Sequence, residues 1–237
     1  MSVSAKSATK IKFCGITRLE DAELAAGLGA WAIGLIFWPR SPRRAAPDIA
    51  AEIAAAVKRR VEVVGVFVNA TLDEVARTAD AVGLTAVQLH GDEGPAFCAE
   101  AGRRTGCKVI KAVRVRSGEQ IQALTSFHTD YHLLDSYIPG KPGGTGESFA
   151  WELARAHRSD VPLILSGGLR PENVADAIEV VRPFAVDVAS GVESAPGIKD
   201  PDKLEAFVKA VAGAHAPRPR AAHAPPDRRA HARAGTS

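Results

Sequence analysis

Hydrophobic and polar positions in this chain alternate on the scale of whole elements. Eight short apolar runs, rich in β-branched residues, recur at 10–14, 31–37, 61–67, 86–89, 108–113, 131–135, 163–166 and 185–188. Within them apolar positions do not alternate with polar ones, the pattern of parallel strands covered on both faces. Ala-rich stretches of helical period lie between them. Thr17 with Glu20 and Thr71 with Glu74 predict capping boxes ahead of helices at 21–27 and 75–82, and Ser117 with Gln120 predicts a third. Pro47, Pro171 and Pro201 stand where a helix's first N–H needs no partner, predicting helices at 48–60, 172–181 and 202–211. Two more are expected near 94–105 and 149–156.

The predicted strand ends follow one another at intervals of 22–31 residues, a repeated βα unit without sequence repetition. Right-handed crossovers either wind an open sheet or close a barrel. Eight units in about 200 residues favour an α/β fold of one closed (β/α)8 TIM barrel, with the longer loops after strands 2 and 6 on its C-terminal face. The expected organisation is a flexible leader at 1–9, a catalytic barrel at 10–212 and a disordered basic tail at 213–237. That tail holds five arginines against Asp227 and nothing apolar larger than Ala, so it cannot offset its ordering entropy by burial.

Composition narrows the classes. With 46% hydrophobic and 24% charged residues in 237, the chain is neither disordered throughout nor fibrous. The formal net charge of +3 is carried by the tail, which is +4, leaving the body at −1. No nucleic-acid partner is therefore expected. No apolar run approaches the ~20 residues of a membrane span, and the polar N-terminus has no signal-peptide core, so a cytoplasmic protein without membrane contact is expected. Three cysteines without CxxC or Cys/His ligand spacing predict neither a disulfide framework nor a metal. The sequence does not distinguish a monomer from a homodimer.

Candidate chemistry gathers at the predicted strand ends. Gly143-Gly144-Thr145-Gly146 follows strand 6, Ser166-Gly167-Gly168 follows strand 7 and Ser190-Gly191 follows strand 8. Small residues let backbone N–H groups approach a phosphate, and loops after strands 7 and 8 are this barrel's usual phosphate site. Gly144, Gly146, Gly167, Gly168, Ser190 and Gly191 are the predicted phosphate ligands. Cys14 ends strand 1 and Asp135 ends strand 6, three strands apart around the rim. A lone cysteine is more often a small buried hydrophobe than a reactive group. A carboxylate closing the apolar run YHLLD, by contrast, needs a partner or a task. Arg43, in the loop after strand 2, either grips a carboxylate by its fork or is a solvated cation like Arg40 and Arg44. His90 ends strand 4 as a satisfied histidine or a working one, and Asp187 on strand 8 either receives a substrate amine or orients the Gly loops.

These residues lie in motifs that together resemble the phosphoribosylanthranilate isomerase family. The motifs are Lys12-Phe13-Cys14-Gly15-Ile16-Thr17, Phe37 to Arg43, Gln88-Leu89-His90-Gly91, Leu134-Asp135-Ser136, Gly143 to Gly146, Leu165 to Leu169 and Val186 to Glu193. They run in family order from about residue 10 to 211, with Phe13 where a β-branched residue is more usual. The resemblance implies an Amadori isomerisation of N-(5-phosphoribosyl)anthranilate in tryptophan biosynthesis. It also implies Cys14 as general base, Asp135 as general acid, a phosphosugar as the small-molecule partner, and no cofactor. Such chemistry asks an aspartate with an ordinary pKa of ~3.9 to rise and a cysteine at ~8.5, about 3% thiolate at neutral pH, to fall.

Other phosphosugar barrels are the nearest alternatives. A neighbouring pathway synthase would place a Lys and Glu pair at strand ends, and the sequence shows Lys111 without an evident Glu. An epimerase would need paired metal-binding His and Asp residues, and only His90 sits at a strand end. A phosphate-binding scaffold, in which Cys14 merely packs, is the non-enzymatic alternative.

Overall fold

The structure, a computed structural model, describes residues 8–115, 117–135 and 151–214. Most of the predicted leader, Gly144 and Gly146 of the predicted phosphate loop, and the predicted tail from residue 215 lie outside the described residues. Eight parallel strands close a barrel in chain order: β1 (Lys10–Cys14), β2 (Ala32–Ile36), β3 (Glu62–Phe67), β4 (Ala86–Leu89), β5 (Lys108–Arg114), β6 (Tyr131–Asp135), β7 (Leu163–Ser166) and β8 (Ala185–Val188). The helices are α1 (Leu19–Gly27), α2 (Pro47–Val57), α3 (Leu72–Val82), α4 (Pro95–Thr105), α5 (Gly118–Ala123), α6 (described over 151–154), α7 (Val174–Val181) and α8 (Pro201–Gly213).

Side-chain size explains the closure. The interior is filled by Ala32, Val64, Ala86, Ile110, Ala112, Leu133, Ile164 and Ala185, small residues interleaved with branched ones. Trp31, Tyr131 and Phe184 seal the N-terminal end with ring centroids 5.1–5.4 Å apart. Alternate residues of the same strands face outward into the larger layer beneath the helices, where Phe13 meets Phe207 of α8 edge-on at 6.1 Å. Both strand faces are therefore apolar, as the unbroken runs predict.

Three helix starts differ from expectation. The Thr71–Glu74 box forms. Thr17 instead donates its hydroxyl to Gly197 O at 2.6 Å, and α1 begins behind Arg18 without a side-chain cap. Ser117 occupies the N-cap of α5 but its side chain does not cap. The Pro171 helix starts only at Val174, because Asn173 ties the intervening turn to Arg170 N (2.8 Å) and Gly168 O (3.1 Å). Between β8 and α8 the chain adds a short hairpin, β9 (Glu193–Ala195) with β10 (Ile198–Lys199), that no sequence signal announced.

Candidate active site

Strand parity builds the site. Ala32, Ala86, Leu133, Ile164 and Ala185 point into the barrel. Two residues further along each strand come Gly34, Gln88, Asp135, Ser166 and Asp187, so these share the inward face at the C-terminal mouth. On β1, Phe13 faces the helices, so Lys12 and Cys14 face inward.

Around Cys14 the mouth is dry and crowded with charge. A Cβ on Gly34 would stand 2.7 Å from Cys14 Sγ and 3.1 Å from Lys12 Nζ, so only glycine on β2 admits both groups. Lys12, fully buried, donates to Asp187 Oδ1 at 2.7 Å, and Ser166 Oγ donates to Asp187 Oδ2 at 3.0 Å. Burial is the largest influence on the Cys14 thiol and pushes it above its ordinary pKa; Lys12 and Lys199 pull down against burial and Asp187. The expected fall is therefore reversed in the free protein, because desolvation of the thiolate outweighs its cationic neighbours. Burial also works against the Lys12 ammonium, but Asp187 and Cys14 outweigh it and hold Lys12 above the usual lysine range.

Arg43 reaches this corner from the loop after β2. Its Nε and Nη2 grip Glu193 at 2.8–3.0 Å, while its aliphatic stem lies against Gly15, whose φ of +73° suits glycine. This fork leaves the Nη1 edge for another carboxylate. Buried Lys199 completes the arrangement, donating to Glu193 Oε1 (2.9 Å), Cys14 O (2.6 Å) and Ala189 O (3.1 Å). Burial alone would raise the Glu193 carboxyl, yet Arg43 and Lys199 hold it below its ordinary value.

The opposite wall is more open. His90 Nε2 lies 3.6 Å from Asp135 Oδ2, and each side chain keeps 19% of its surface exposed. Gln88 approaches His90 Nδ1 at 3.3 Å. A cavity of about 420 Å3 opens here, lined by Trp38, Asn69, His90, Asp92, Arg114 and Gln120. At the third side Gly167 (φ +98°) and Gly168 (φ +65°) turn the chain after β7. Gly191 packs so tightly on that turn that a Cβ would meet Leu169 O at 1.9 Å. Gly191 thus abuts the turn that Gly167 and Gly168 open.

A closed eight-stranded barrel of this kind is matched by known proteins. The family model for N-(5'-phosphoribosyl)anthranilate (PRA) isomerase matches residues 11–210. The chain belongs to that family. The N-(5'-phosphoribosyl)anthranilate isomerase of Citrifermentans bemidjiense is 50% identical over 200 residues, 84% of this chain and 95% of that protein. A solved structure of mutually generated monomers of the dimeric Thermotoga maritima isomerase superposes with a TM-score of 0.75 at 40% identity, covering 86% of this chain and 99% of that one. A phosphoribosyl anthranilate isomerase solved with reduced 1-(o-carboxyphenylamino)-1-deoxyribulose 5-phosphate gives 0.74, 40% and the same coverage.

Against the family's rim, one sequence argument needs correcting. Lys111 does have a matching glutamate: its amine lies 3.0 Å from Glu93 and donates to Gly91 O at 2.8 Å. Ile110 and Ala112 face the barrel interior, so Lys111 faces the helices, and the pair braces the loop behind His90. Glu93 also accepts from Asn69 N and Gly91 N at 2.8 Å each. Sequence reasoning assigned no role to Lys12, Gln88, Glu193 or Lys199. For Lys12 and Gln88 the available signal was a charged or amide residue at an inward position of an otherwise apolar strand; for Glu193 and Lys199, in an unforeseen hairpin, there was none. Among the described residues no group of three or more His, Cys, Asp or Glu could hold a metal ion, and no helix is long and apolar enough to cross a membrane.

Proposed function

We infer that this chain isomerises N-(5'-phosphoribosyl)anthranilate to 1-(2-carboxyphenylamino)-1-deoxyribulose 5-phosphate in tryptophan biosynthesis, with Cys14 as general base and Asp135 as general acid. The observation that carries the assignment of roles is the placement of these two side chains on the inward face of β1 and β6, three strands apart around one mouth.

Asp135, protonated, gives its proton to the furanose oxygen as the C1–O bond breaks, and the nitrogen lone pair forms an iminium. Cys14 thiolate removes the C2 proton, and the C–H electron pair runs through C1 to the iminium nitrogen, leaving an enolamine. Proton transfer from the C2 hydroxyl oxygen to C1 yields the ketone, and the proton on Cys14 returns to Asp135 through solvent, which resets both groups for the next turnover. The iminium is the electron sink, and the reading requires no cofactor. The Nη1 edge of Arg43 receives the anthranilate carboxylate, Asp187 and His90 border the sugar, and Gly167, Gly168, Ser190 and Gly191, with Gly144 and Gly146, hold the phosphate. Binding this remote group orients the reacting carbons. We place the enzyme in the cytoplasm, where amino-acid precursors are made.

Loss of substrate fluorescence gives the test. Cys14→Ala should lower kcat by ~10²-fold or more with little change in affinity, because a general base acts in the transition state. Cys98→Ala and Cys107→Ala should leave kcat unchanged. Near-normal turnover of Cys14→Ala would remove the assignment.

A further inference from the structure

We propose that Lys12 is a positioning residue of the reaction: its buried ammonium, shared between Asp187 and Cys14 Sγ, is the counter-ion that lets the Cys14 thiolate form. The inference rests on the reading of Cys14 as the base. Lys12 and Cys14 lie two residues apart on the inward face of β1, and the space left by the missing Gly34 side chain lies 2.7 Å from Sγ and 3.1 Å from Nζ. A lysine without solvent exposure in a barrel interior is costly unless its charge is used. Asp187 satisfies one donor at 2.7 Å, and a rotating ammonium has two more.

The other charges around Sγ do not substitute for it. Lys199 also acts on the thiol, but its three donors are taken by Cys14 O, Ala189 O and Glu193. Arg43 senses Cys14, but its Nε and Nη2 are closed on Glu193 and its Nη1 edge is the one that the proposed reading gives to the anthranilate carboxylate. Asp187 opposes the thiolate. Lys12 is therefore the cation with capacity left for sulfur. When the thiolate forms, Asp187 holds the ammonium in place beside it, and Ser166 holds Asp187.

Removing Lys12 alone would strand the Asp187 carboxylate, so the test uses Asp187→Asn and the double variant Lys12→Met with Asp187→Asn. Thiolate formation is read from the far-ultraviolet thiolate absorbance against pH, with the signal of Cys14→Ser subtracted to remove Cys98 and Cys107. In Asp187→Asn the ammonium has the thiol as its only anionic partner, and the midpoint should fall below wild type. Adding Lys12→Met should raise it by at least about one pH unit relative to Asp187→Asn, a tenfold loss of thiolate below the midpoint. Equal midpoints in the single and double variants would overturn the proposal. Should the double variant fail to fold, the single one still decides: a midpoint unchanged or raised in Asp187→Asn overturns it. Turnover separates this from the assignment of the base. An active Cys14→Ser with the predicted midpoints removes the catalytic role of Cys14 and leaves the ion pair standing. An inactive Cys14→Ser with midpoints indifferent to Lys12 overturns the present inference alone.

Discussion

The two walls of the barrel mouth are built on opposite plans. On the β8–β1–β2 side, three cations (Lys12, Lys199, Arg43) and two carboxylates (Asp187, Glu193) surround Cys14, each held at 2.6–3.1 Å by named partners. On the β4–β6 side, His90 and Asp135 stand 3.6 Å apart, partly exposed, beside a cavity. Fixed dipoles and charges in a dry site act on a reacting group without reorganising. On the proposed roles the Cys14 side is the base wall and is finished in the free protein, whereas the Asp135 side is the acid wall and keeps open space beside it, which the proposal gives to the sugar.

The sharpest way to break this contrast is Asp135→Asn. Asn is nearly isosteric and still hydrogen-bonds, but it cannot give up a proton at neutral pH. The expected loss is ~10²-fold or more in kcat and in kcat/KM together, with fold and product-analogue affinity retained. Were Asp135 only a brace for the neighbouring loop, KM would rise while kcat stayed normal, and steady-state kinetics tells these patterns apart.

Glu193→Gln probes the finished wall and should show chiefly in stability. Neutralising one member of a buried ionic group leaves Arg43 and Lys199 uncompensated, at a cost of about 3 kcal/mol. For a barrel of this size that is roughly 6–12 °C in Tm. Because the folded Glu193 carboxyl is held below its ordinary value of 4.5, its contribution is complete above that pH and is lost as pH falls through the folded value. The difference in Tm between wild type and Glu193→Gln should therefore shrink on acidification below about 4.5. A difference constant with pH would show that the ionised carboxylate is not the source of the stability.

How far the sequence discloses the two walls also differs. The strand ends, the barrel and the inward residues Cys14, Asp135 and Asp187 are legible because strand parity and element order are local patterns. The base wall's ionic network is not legible, since it joins residues such as Arg43 and Glu193 that are 150 positions apart, through a hairpin lacking any periodic signal. Thr17 shows the same limit: its capping signal is genuine, but a carbonyl 180 residues away takes its hydroxyl. Glu93 was missed because it lies in a loop, where spacing says nothing about which strand residue it meets.

The smallest effect expected lies behind the acid wall and would sharpen the contrast by giving each wall its own pH window. His132 faces outward from β6, fully buried; its Nε2–H donates to Phe127 O at 3.0 Å, so Nδ1 must accept from His157 Nε2–H at 2.9 Å. Burial pushes both imidazoles below their ordinary value of 6.5, with the backbone bond at His132 opposing the shift and His132 adding to it at His157. Above 6.5 both groups are largely neutral in the folded and the unfolded chain alike, so their contribution is intact there. It declines as pH falls from 6.5 towards the folded values, because the unfolded chain then binds more protons. The slope is at most about 1.4 kcal/mol per pH unit for each imidazole. His132→Gln supplies a control that cannot titrate: its amide donates to Phe127 O while its carbonyl accepts from His157. Urea unfolding between pH 7.5 and 5 should show a shallower decline for His132→Gln than for wild type, at pH values where the Glu193 carboxylate still contributes in full. Equal slopes in the two proteins would mean that the strut behind β6 is not proton-sensitive, and that acid lability belongs to the base wall alone.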